Sequence, residues 1–226
     1  MVCTKSWRVW GVAAVATALL SGCGSSSSST STGGGGGSAA SAGQSGAVNV
    51  GVIAPFTGPA AQFGKLLGSP CYAATDLINK AGGVLGHQMH CTSVDDTGDA
   101  ADAVPNVTRA IATTSNFDMA IGLESNTAAT TVPIVNNARI PMVTTNGLVA
   151  FSKNRLPYYW RLTPSDDANG AAFAVWAVRK GYKNVAVVFQ NGIGSEGNLP
   201  GVTSAMPKLG GKLGLRLTIP ADSASY

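Results

Sequence analysis

The sequence predicts an α/β fold in which a parallel sheet is covered by helices on both faces. From residue 47 onward, short apolar runs alternate strictly with longer segments of helical spacing, the pattern of strands joined by helical crossovers. The first run, residues 47–54, is apolar at nearly every position and rich in β-branched residues. A strand buried on both faces has this composition, which favours a parallel sheet.

The first helix is predicted over residues 63–80, because apolar residues recur there at helical spacing. Pro70 lies inside this segment, and proline is best tolerated in the first turn of a helix. A start near Ser69 is therefore the alternative prediction. Gly82 and Gly83 are expected to end the helix.

The later elements continue the alternation. Strands are predicted at 87–94, 117–122, 140–143, 158–162, 184–189 and 212–219, and helices at 99–114, 125–138, 166–180 and about 197–209. In open α/β sheets, ligands bind beyond the carboxyl ends of the strands. The binding site is therefore predicted on four loops, at 55–63, 95–99, 123–127 and 144–150.

The N-terminus has the pattern of an export signal over residues 1–22. Lys5 and Arg8 precede a 12-residue apolar run, which is too short for the roughly 20 residues of a membrane-spanning helix. The run ends in Leu-Ser-Gly-Cys at 20–23, which resembles the lipobox of bacterial lipoproteins. That resemblance implies a lipid on Cys23 and a protein anchored on the outer face of a bacterial membrane. An ordinary signal peptide with a chance cysteine is the alternative.

A linker is predicted at residues 23–46, which after the cysteine are almost wholly Ser, Gly, Thr and Ala. Such a segment has too little apolar surface to offset the entropy of ordering, and its mean reach is about 25–29 Å. Without Lys5 and Arg8, the net charge falls from +4 to about +2. With no basic run either, nucleic acid is excluded as a partner.

The cysteines predict one disulfide. Cys3 leaves with the signal peptide and Cys23 takes the lipid, so Cys71 and Cys91 remain in the folded part. An even pair in an oxidising compartment favours a bridge, here between the first helix and the second strand. Two reduced, buried cysteines are the alternative.

The predicted loops carry an ordered set of motifs. They read GVIAPFTGPAAQFG, DLINKAGGVLGHQM, DD, AIG before a Ser/Asn/Thr helix start, RIPMVTTNG and YYWRLTPSDDANG. The set resembles the branched-chain amino-acid-binding proteins, the type I extracytoplasmic solute receptors of ABC importers. The resemblance runs from about Val48 to the end of the chain.

The resemblance implies two doubly wound parallel-sheet lobes around a cleft that closes on a ligand. It assigns residues 47–164 to the first lobe and 165–226 to the start of the second, with the crossing near 163–165. Members of the family continue well past Tyr226, so the second lobe is expected to be incomplete here, either as a fragment or as a truncated product.

Ligand contacts are expected from both the helix start and the loop after the fourth strand. Ser125, Asn126 and Thr127 open a helix after a strand, and a helix N-terminus offers N–H groups to an anion; simple capping is their alternative role. The resemblance assigns them to the ligand's carboxylate. It adds the loop and an aromatic cover for the ligand side chain: Thr145, Asn146, Gly147 and Phe63.

Three positions depart from the family pattern. Asn126 stands at a hydroxyl position, Leu148 where a ligand-binding threonine is usual, and Ile193 near the place of a cleft tyrosine. The expected ligand is therefore a small polar compound, such as an amino acid, an amide or a related molecule, rather than strictly an α-amino acid.

Enzymatic readings are poorly supported by the sequence. Residues 192–197 read G-x-G-x-x-G, but two residues separate them from the strand and no acid follows near Leu217, as a dinucleotide site requires. His87 and His90 would face opposite sides of a strand, so no metal is predicted, nor any cofactor. The expected function is solute delivery to an ABC permease. A sensor of the same fold and an exported enzyme are the alternatives.

Overall fold

The computed structural model describes residues 46–113, 117–153 and 156–220. The predicted signal peptide, Cys23 and the linker up to residue 45 lie outside these residues. The strands are β1 Val48–Ala54, β2 Met89–Asp95, β3 Met119–Gly122, β4 Met142–Thr144, β5 Tyr159–Arg161, β6 Asn184–Gln190 and β7 Lys212–Ile219. The helices are α1 Ala61–Lys80, α2 Ala100–Thr113, α3 Ser125–Asn137, α4 Asp166–Arg179, α5 Ile193–Glu196 and α6 Leu199–Lys208, with a 3₁₀ turn at Val149–Ser152.

The first five strands form one parallel sheet in the order β2-β1-β3-β4-β5. Side chains of β1 alternate between its two faces. Val50 and Val52 pack in a cluster with Cys71 of α1, whereas Ile53 packs with Val107 of α2 and other residues of α2 and α3. Helices therefore cover both faces, which confirms the predicted doubly wound α/β arrangement.

Strands β6 and β7 form a second parallel sheet. Helices α4 and α6 pack on it through Ala174, Val202 and Met206. The two helices approach closely because Gly201 lies against the backbone of α4: a Cβ at Gly201 would stand 1.8 Å from the carbonyl oxygen of Asp167. Any side chain at this position would push the helices apart.

Helix α1 begins at Ala61 and contains Pro70 in its interior, so the alternative start near Ser69 is wrong. Packing outweighs the hydrogen bond that proline cannot donate. Gly64 lies against the backbone of Pro55, where a Cβ would come within 2.4 Å of the carbonyl oxygen, and this contact fixes the first turns of the helix. Past Lys80 the chain turns through Gly82, at φ +105°, as the glycine signal predicts.

The segment predicted as one helix at 197–209 is divided. A single turn, α5, precedes α6, and α6 starts at Leu199 with Pro200 in its first turn, a position where proline costs no hydrogen bond. Cys71 and Cys91 form a disulfide, so the predicted pairing is present and joins α1 to β2. Along the residues that the structure describes, no helix combines the length and apolar character needed to cross a membrane.

Candidate ligand-binding cleft

A cavity of about 690 Å³ lies at the carboxyl ends of the strands. All four loops predicted to form the site contribute to its wall, and the segment after β6 closes the opposite side. The lining residues are Pro59, Ala60, Gln62, Phe63, Leu67, Thr97, Gly98, Asp99, Ala100, Glu124, Ser125, Asn126, Thr145, Gln190, Asn191, Gly192, Ile193, Gly194 and Ser195. The volume falls in the range of small-molecule sites, about 300–1,000 Å³.

Four of the residues predicted to contact ligand lie on this wall: Phe63, Ser125, Asn126 and Thr145. Phe63 projects from the first turn of α1 and is 48% exposed, so its ring is available to cover an apolar part of a ligand. Ser125 and Asn126 are the first residues of α3. The structure therefore brings these four side chains together at the carboxyl edge of the sheet.

Thr127 and Asn146, which are also predicted to contact the ligand, are buried and do not line this cavity. The Thr127 hydroxyl donates to the Asp96 carboxylate over 2.7 Å. The Asn146 amide donates to the carbonyl oxygen of Leu123 over 3.2 Å, and its oxygen accepts from the Tyr159 hydroxyl. Both side chains connect the loops behind the cavity wall.

Gly147 also lies outside the cavity wall. Its N–H donates to the Ser125 hydroxyl oxygen over 3.2 Å, so it positions a wall residue from behind. A Cβ at Gly147 would overlap the carboxylate of Asp166. Leu148, the next residue, is only 7% exposed and belongs to the core of the five-stranded sheet. The departure at Leu148 therefore changes core packing rather than the cavity.

Glu124, which sequence reasoning did not single out, caps α3. One carboxylate oxygen, Oε2, accepts from the N–H of Asn126 over 2.9 Å. Burial raises the pKa of Glu124. The N–H of Asn126 and the backbone and side chain of Thr127 oppose this rise, whereas the nearby Asp96 carboxylate adds to it. The other oxygen, Oε1, is buried and has no hydrogen-bond partner among the described residues. The helix terminus predicted to bind a ligand anion thus already holds a carboxylate of the chain.

Asp95 organises the loop that leads from β1 to α1. Its carboxylate accepts from the N–H groups of Phe56 (2.8 Å), Thr57 (3.2 Å) and Thr97 (2.9 Å) and from the Thr57 hydroxyl. Burial alone would raise the pKa of Asp95, but these hydrogen bonds outweigh it and lower the pKa. Asp95 therefore holds in place the loop that ends at Phe63.

Asp95→Ala is expected to loosen this loop. We expect a loss of about 1 kcal/mol in the free energy of unfolding, because the hydrogen bonds are partly exposed to solvent. Since the folded pKa is lowered, this stabilisation is present above the unfolded pKa and disappears as the pH falls through the folded pKa. Urea denaturation of both proteins at neutral and acidic pH measures it.

Asp118→Ala is the matched control, because among the described residues Asp118 accepts one backbone hydrogen bond, from Asn49 over 2.8 Å, away from the cavity. The Asp95 variant should lose more stability than this control at neutral pH. Equal losses would contradict the role of Asp95 in the loop.

The opposite side of the cavity touches the start of α3 directly. The N–H of Gly194 donates to the side-chain oxygen of Asn126 over 3.4 Å. A Cβ built on Gly194 would stand 2.7 Å from the Cβ of Ser125. The glycines that resemble a dinucleotide motif therefore permit close approach of two cavity walls. Ile193 lines the cavity beside them and is 53% exposed.

A family model for periplasmic binding proteins matches residues 47–226. The chain belongs to this family. The match covers nearly all the described residues, and it confirms the resemblance found in the sequence motifs. Members of this family are solute-binding proteins, and they are located outside the cytoplasm.

Two curated relatives are Leu/Ile/Val-binding proteins. BraC3 of Rhizobium johnstonii is 28% identical over 152 residues, which cover 66% of this chain and 41% of the relative. The Leu/Ile/Val-binding protein homolog 3 of Brucella melitensis is 40% identical over 57 residues, or 25% of this chain and 16% of the relative. The chain thus spans less than half the length of either relative in these matches.

Solved structures share the fold. The branched-chain amino acid transporter substrate-binding protein LivJ of Streptococcus pneumoniae, in complex with isoleucine, matches with a TM-score of 0.70 at 20% identity, over 80% of this chain and 52% of that one. A solute-binding protein of R. palustris, in complex with benzoate, matches with a TM-score of 0.65 at 21% identity, over 77% and 49%. The chain spans about half the length of these structures.

Proposed function

We propose that this chain is the lipid-anchored solute-binding component of an ABC importer. It takes up a small polar ligand, such as an amino acid, an amide or a related compound, by closure of two lobes and without chemical conversion. The observation that carries the proposal is the cavity of about 690 Å³ with walls on both sides. Membership of the periplasmic binding protein family supports the same reading.

The proposal assigns residues 47–164 to the first lobe and 165–226 to the start of the second, with the crossing at 163–165. The five-stranded sheet lies within the residues assigned to the first lobe, and the β6–β7 sheet lies within those assigned to the second. The chain spans about half the length of the similar solved structures. The transport activity of the whole protein is therefore proposed as well.

Lipidation of Cys23 belongs to the same proposal. A lipid there, followed by the linker to residue 46, would hold the cavity within about 25–29 Å of the membrane surface, where a permease lies. The partner is thus the membrane-embedded permease, and the site is extracytoplasmic.

The character of the cavity wall agrees with a ligand that is partly apolar and partly polar. Phe63, Leu67 and Ile193 supply apolar surface, while Ser125, Asn126 and their neighbours supply hydrogen-bonding groups. Such a mixture fits small-molecule recognition, in which a few polar groups orient a ligand against apolar walls. The similar structures from Streptococcus pneumoniae and R. palustris are complexes with isoleucine and benzoate, both small molecules of this kind.

A thermal-shift screen of amino acids, amides and aromatic acids tests the proposal on the mature product of the gene. A ligand at one hundred times its Kd stabilises the folded protein by about 2.7 kcal/mol, which raises the Tm by about 5–11 °C for a domain of this size. Mass spectrometry of the ligand after incubation should return it unchanged. The absence of a shift with every solute would contradict solute binding, and a converted ligand would indicate an enzyme.

A further inference from the structure

The cavity wall carries negative charge without a compensating cation. Its charged residues are Asp99 and Glu124, and within the described part of the chain it contains no Lys, Arg or His. A third carboxylate, Asp96, is fully buried directly behind the wall, where the Thr127 hydroxyl donates to it. A ligand entering this cavity therefore meets two acidic side chains, with a third close behind them, and no basic side chain on the described wall.

Glu124 occupies the place where an anionic ligand group would be stabilised best. The free N–H groups at a helix N-terminus attract anions, but the N–H of Asn126 already donates to Glu124 Oε2 over 2.9 Å. A ligand carboxylate brought to this point would lose that donor and approach two like charges, those of Glu124 and Asp96. Like charges at close range in a partly buried site are destabilising.

The other oxygen of Glu124 lacks a partner. Oε1 is buried without a hydrogen bond among the described residues, and a buried carboxylate left in this way costs free energy. The Thr127 hydroxyl donates to Asp96, and its weaker interaction with Glu124 only lowers the pKa of that carboxyl in part. A ligand that presents N–H donors to the start of α3 would offer Glu124 hydrogen bonds that the wall does not provide, and a cationic nitrogen would add a counter-charge.

We propose that Glu124 makes this cleft selective for ligands that present a nitrogen cation or N–H donors to the start of α3, and selective against a carboxylate there. The favoured chemical class is an amine or amidine, followed by a neutral amide. This inference rests on the proposed solute-binding function and deepens it. It reverses the polarity that the sequence resemblance implies for this side of the cleft, since the resemblance assigns the ligand's carboxylate to Ser125, Asn126 and Thr127.

The test compares ligands of one shape and different charge. Benzamidine, benzamide and benzoate share a ring and a planar head group, and carry a positive, neutral and negative charge. L-Leucinamide and L-leucine form a second pair with an aliphatic side chain. Calorimetry on the mature gene product should give the tightest binding for benzamidine and the weakest for benzoate, with at least a tenfold difference in Kd. Leucinamide should bind more tightly than leucine.

The variant Glu124→Gln tests whether Glu124 causes the preference for benzamidine over benzoate. Glutamine retains an oxygen that can accept from Asn126, so circular dichroism and the Tm should show a folded protein. The preference for benzamidine over benzoate should fall at least tenfold. Asp76→Asn removes the same charge from an exposed position on α1, away from the cavity, and should leave the preference unchanged.

The outcomes separate this inference from the proposed function. Tighter binding of benzoate and leucine than of their nitrogen counterparts would overturn the selectivity while leaving solute binding intact. An unchanged preference in Glu124→Gln would overturn the assignment to Glu124. If no compound of either series, and no solute of the wider screen, binds the wild-type protein, the proposed function itself fails.

Discussion

Gly194→Ala is expected to raise the Kd for ligand about a hundredfold while leaving the folded protein intact. The added Cβ would stand 2.7 Å from the Cβ of Ser125, closer than two such atoms can approach, so the two walls of the cavity cannot meet as they do here. If the closed arrangement falls to about 1% of the population, the apparent Kd rises about a hundredfold, because only that fraction can bind ligand tightly. Gly194 lies in the short helix α5, where alanine is well tolerated.

A double-mutant cycle with Ser125→Gly provides the control. Glycine at position 125 removes the atom that alanine at position 194 would meet, so the double variant should recover most of the affinity lost by Gly194→Ala. Ser125→Gly alone loses the hydroxyl that accepts from Gly147 and should weaken binding only modestly. The coupling free energy of the cycle isolates the contact between the walls.

Calorimetric Kd values for the four proteins, with urea denaturation to confirm folding, complete the measurement. Wild-type affinity in Gly194→Ala would mean that these two walls do not touch in the ligand-bound state. A loss that Ser125→Gly does not repair would place the obstruction elsewhere.

Much of the fold could be predicted because burial leaves a periodic trace in the sequence. Strand β1 lies within one residue of its predicted bounds, since both of its faces are covered and its apolar run is continuous. The start of α1 was less certain, because the alternative relied on Pro70. The contact of Gly64 with Pro55 fixes the start of α1. It joins the helix to the residue after β1, so it produces no periodic pattern in the sequence of the helix itself.

The position of the cavity was also predictable, because the carboxyl ends of parallel strands share one edge of the sheet. Which side chains face the cavity was not. Thr127 and Asn126 are neighbours in the first turn of α3, yet one is buried against Asp96 and the other lines the wall. Their directions depend on how the helix is rotated about its axis, and that rotation follows from tertiary packing.

Glu124 was missed for a different reason. Short polar residues are preferred at helix N-caps. The run Ser125, Asn126, Thr127 therefore looked like the helix start, and Glu124 just before it was passed over. The feature that makes Glu124 unusual is its proximity to Asp96, which is 28 positions earlier in the sequence and comes near only when β2 and β3 both pair with β1. The cluster of acidic side chains formed by Glu124 and Asp96 can therefore be recognised only in the folded structure.

Replacing both Cys71 and Cys91 by alanine is expected to lower the free energy of unfolding by about 3 kcal/mol. The disulfide closes a loop between residues 20 positions apart, and it restricts the unfolded chain far more than the folded one. Cys71 is also 4% exposed and packs against Val50 and Val52, so the substitution removes buried volume as well. The corresponding decrease in Tm is about 6–12 °C.

Reductant supplies the control for this prediction. Urea denaturation of the wild-type protein with dithiothreitol should approach the midpoint of the double variant, and the double variant should not respond to dithiothreitol. Identical midpoints for the oxidised, reduced and double-variant proteins would show that the bridge does not constrain the unfolded chain.

The same variant should separate stability from ligand binding. The disulfide joins the middle of α1 to β2. Phe63, which lines the cavity, lies two turns earlier in α1. It follows the loop that the hydrogen bonds of Asp95 hold in place. Below the midpoint of thermal unfolding, the double variant should therefore retain wild-type affinity for ligand, while Asp95→Ala should lose affinity for a smaller loss of stability. A double variant that loses affinity at 10 °C would instead show that the bridge positions Phe63.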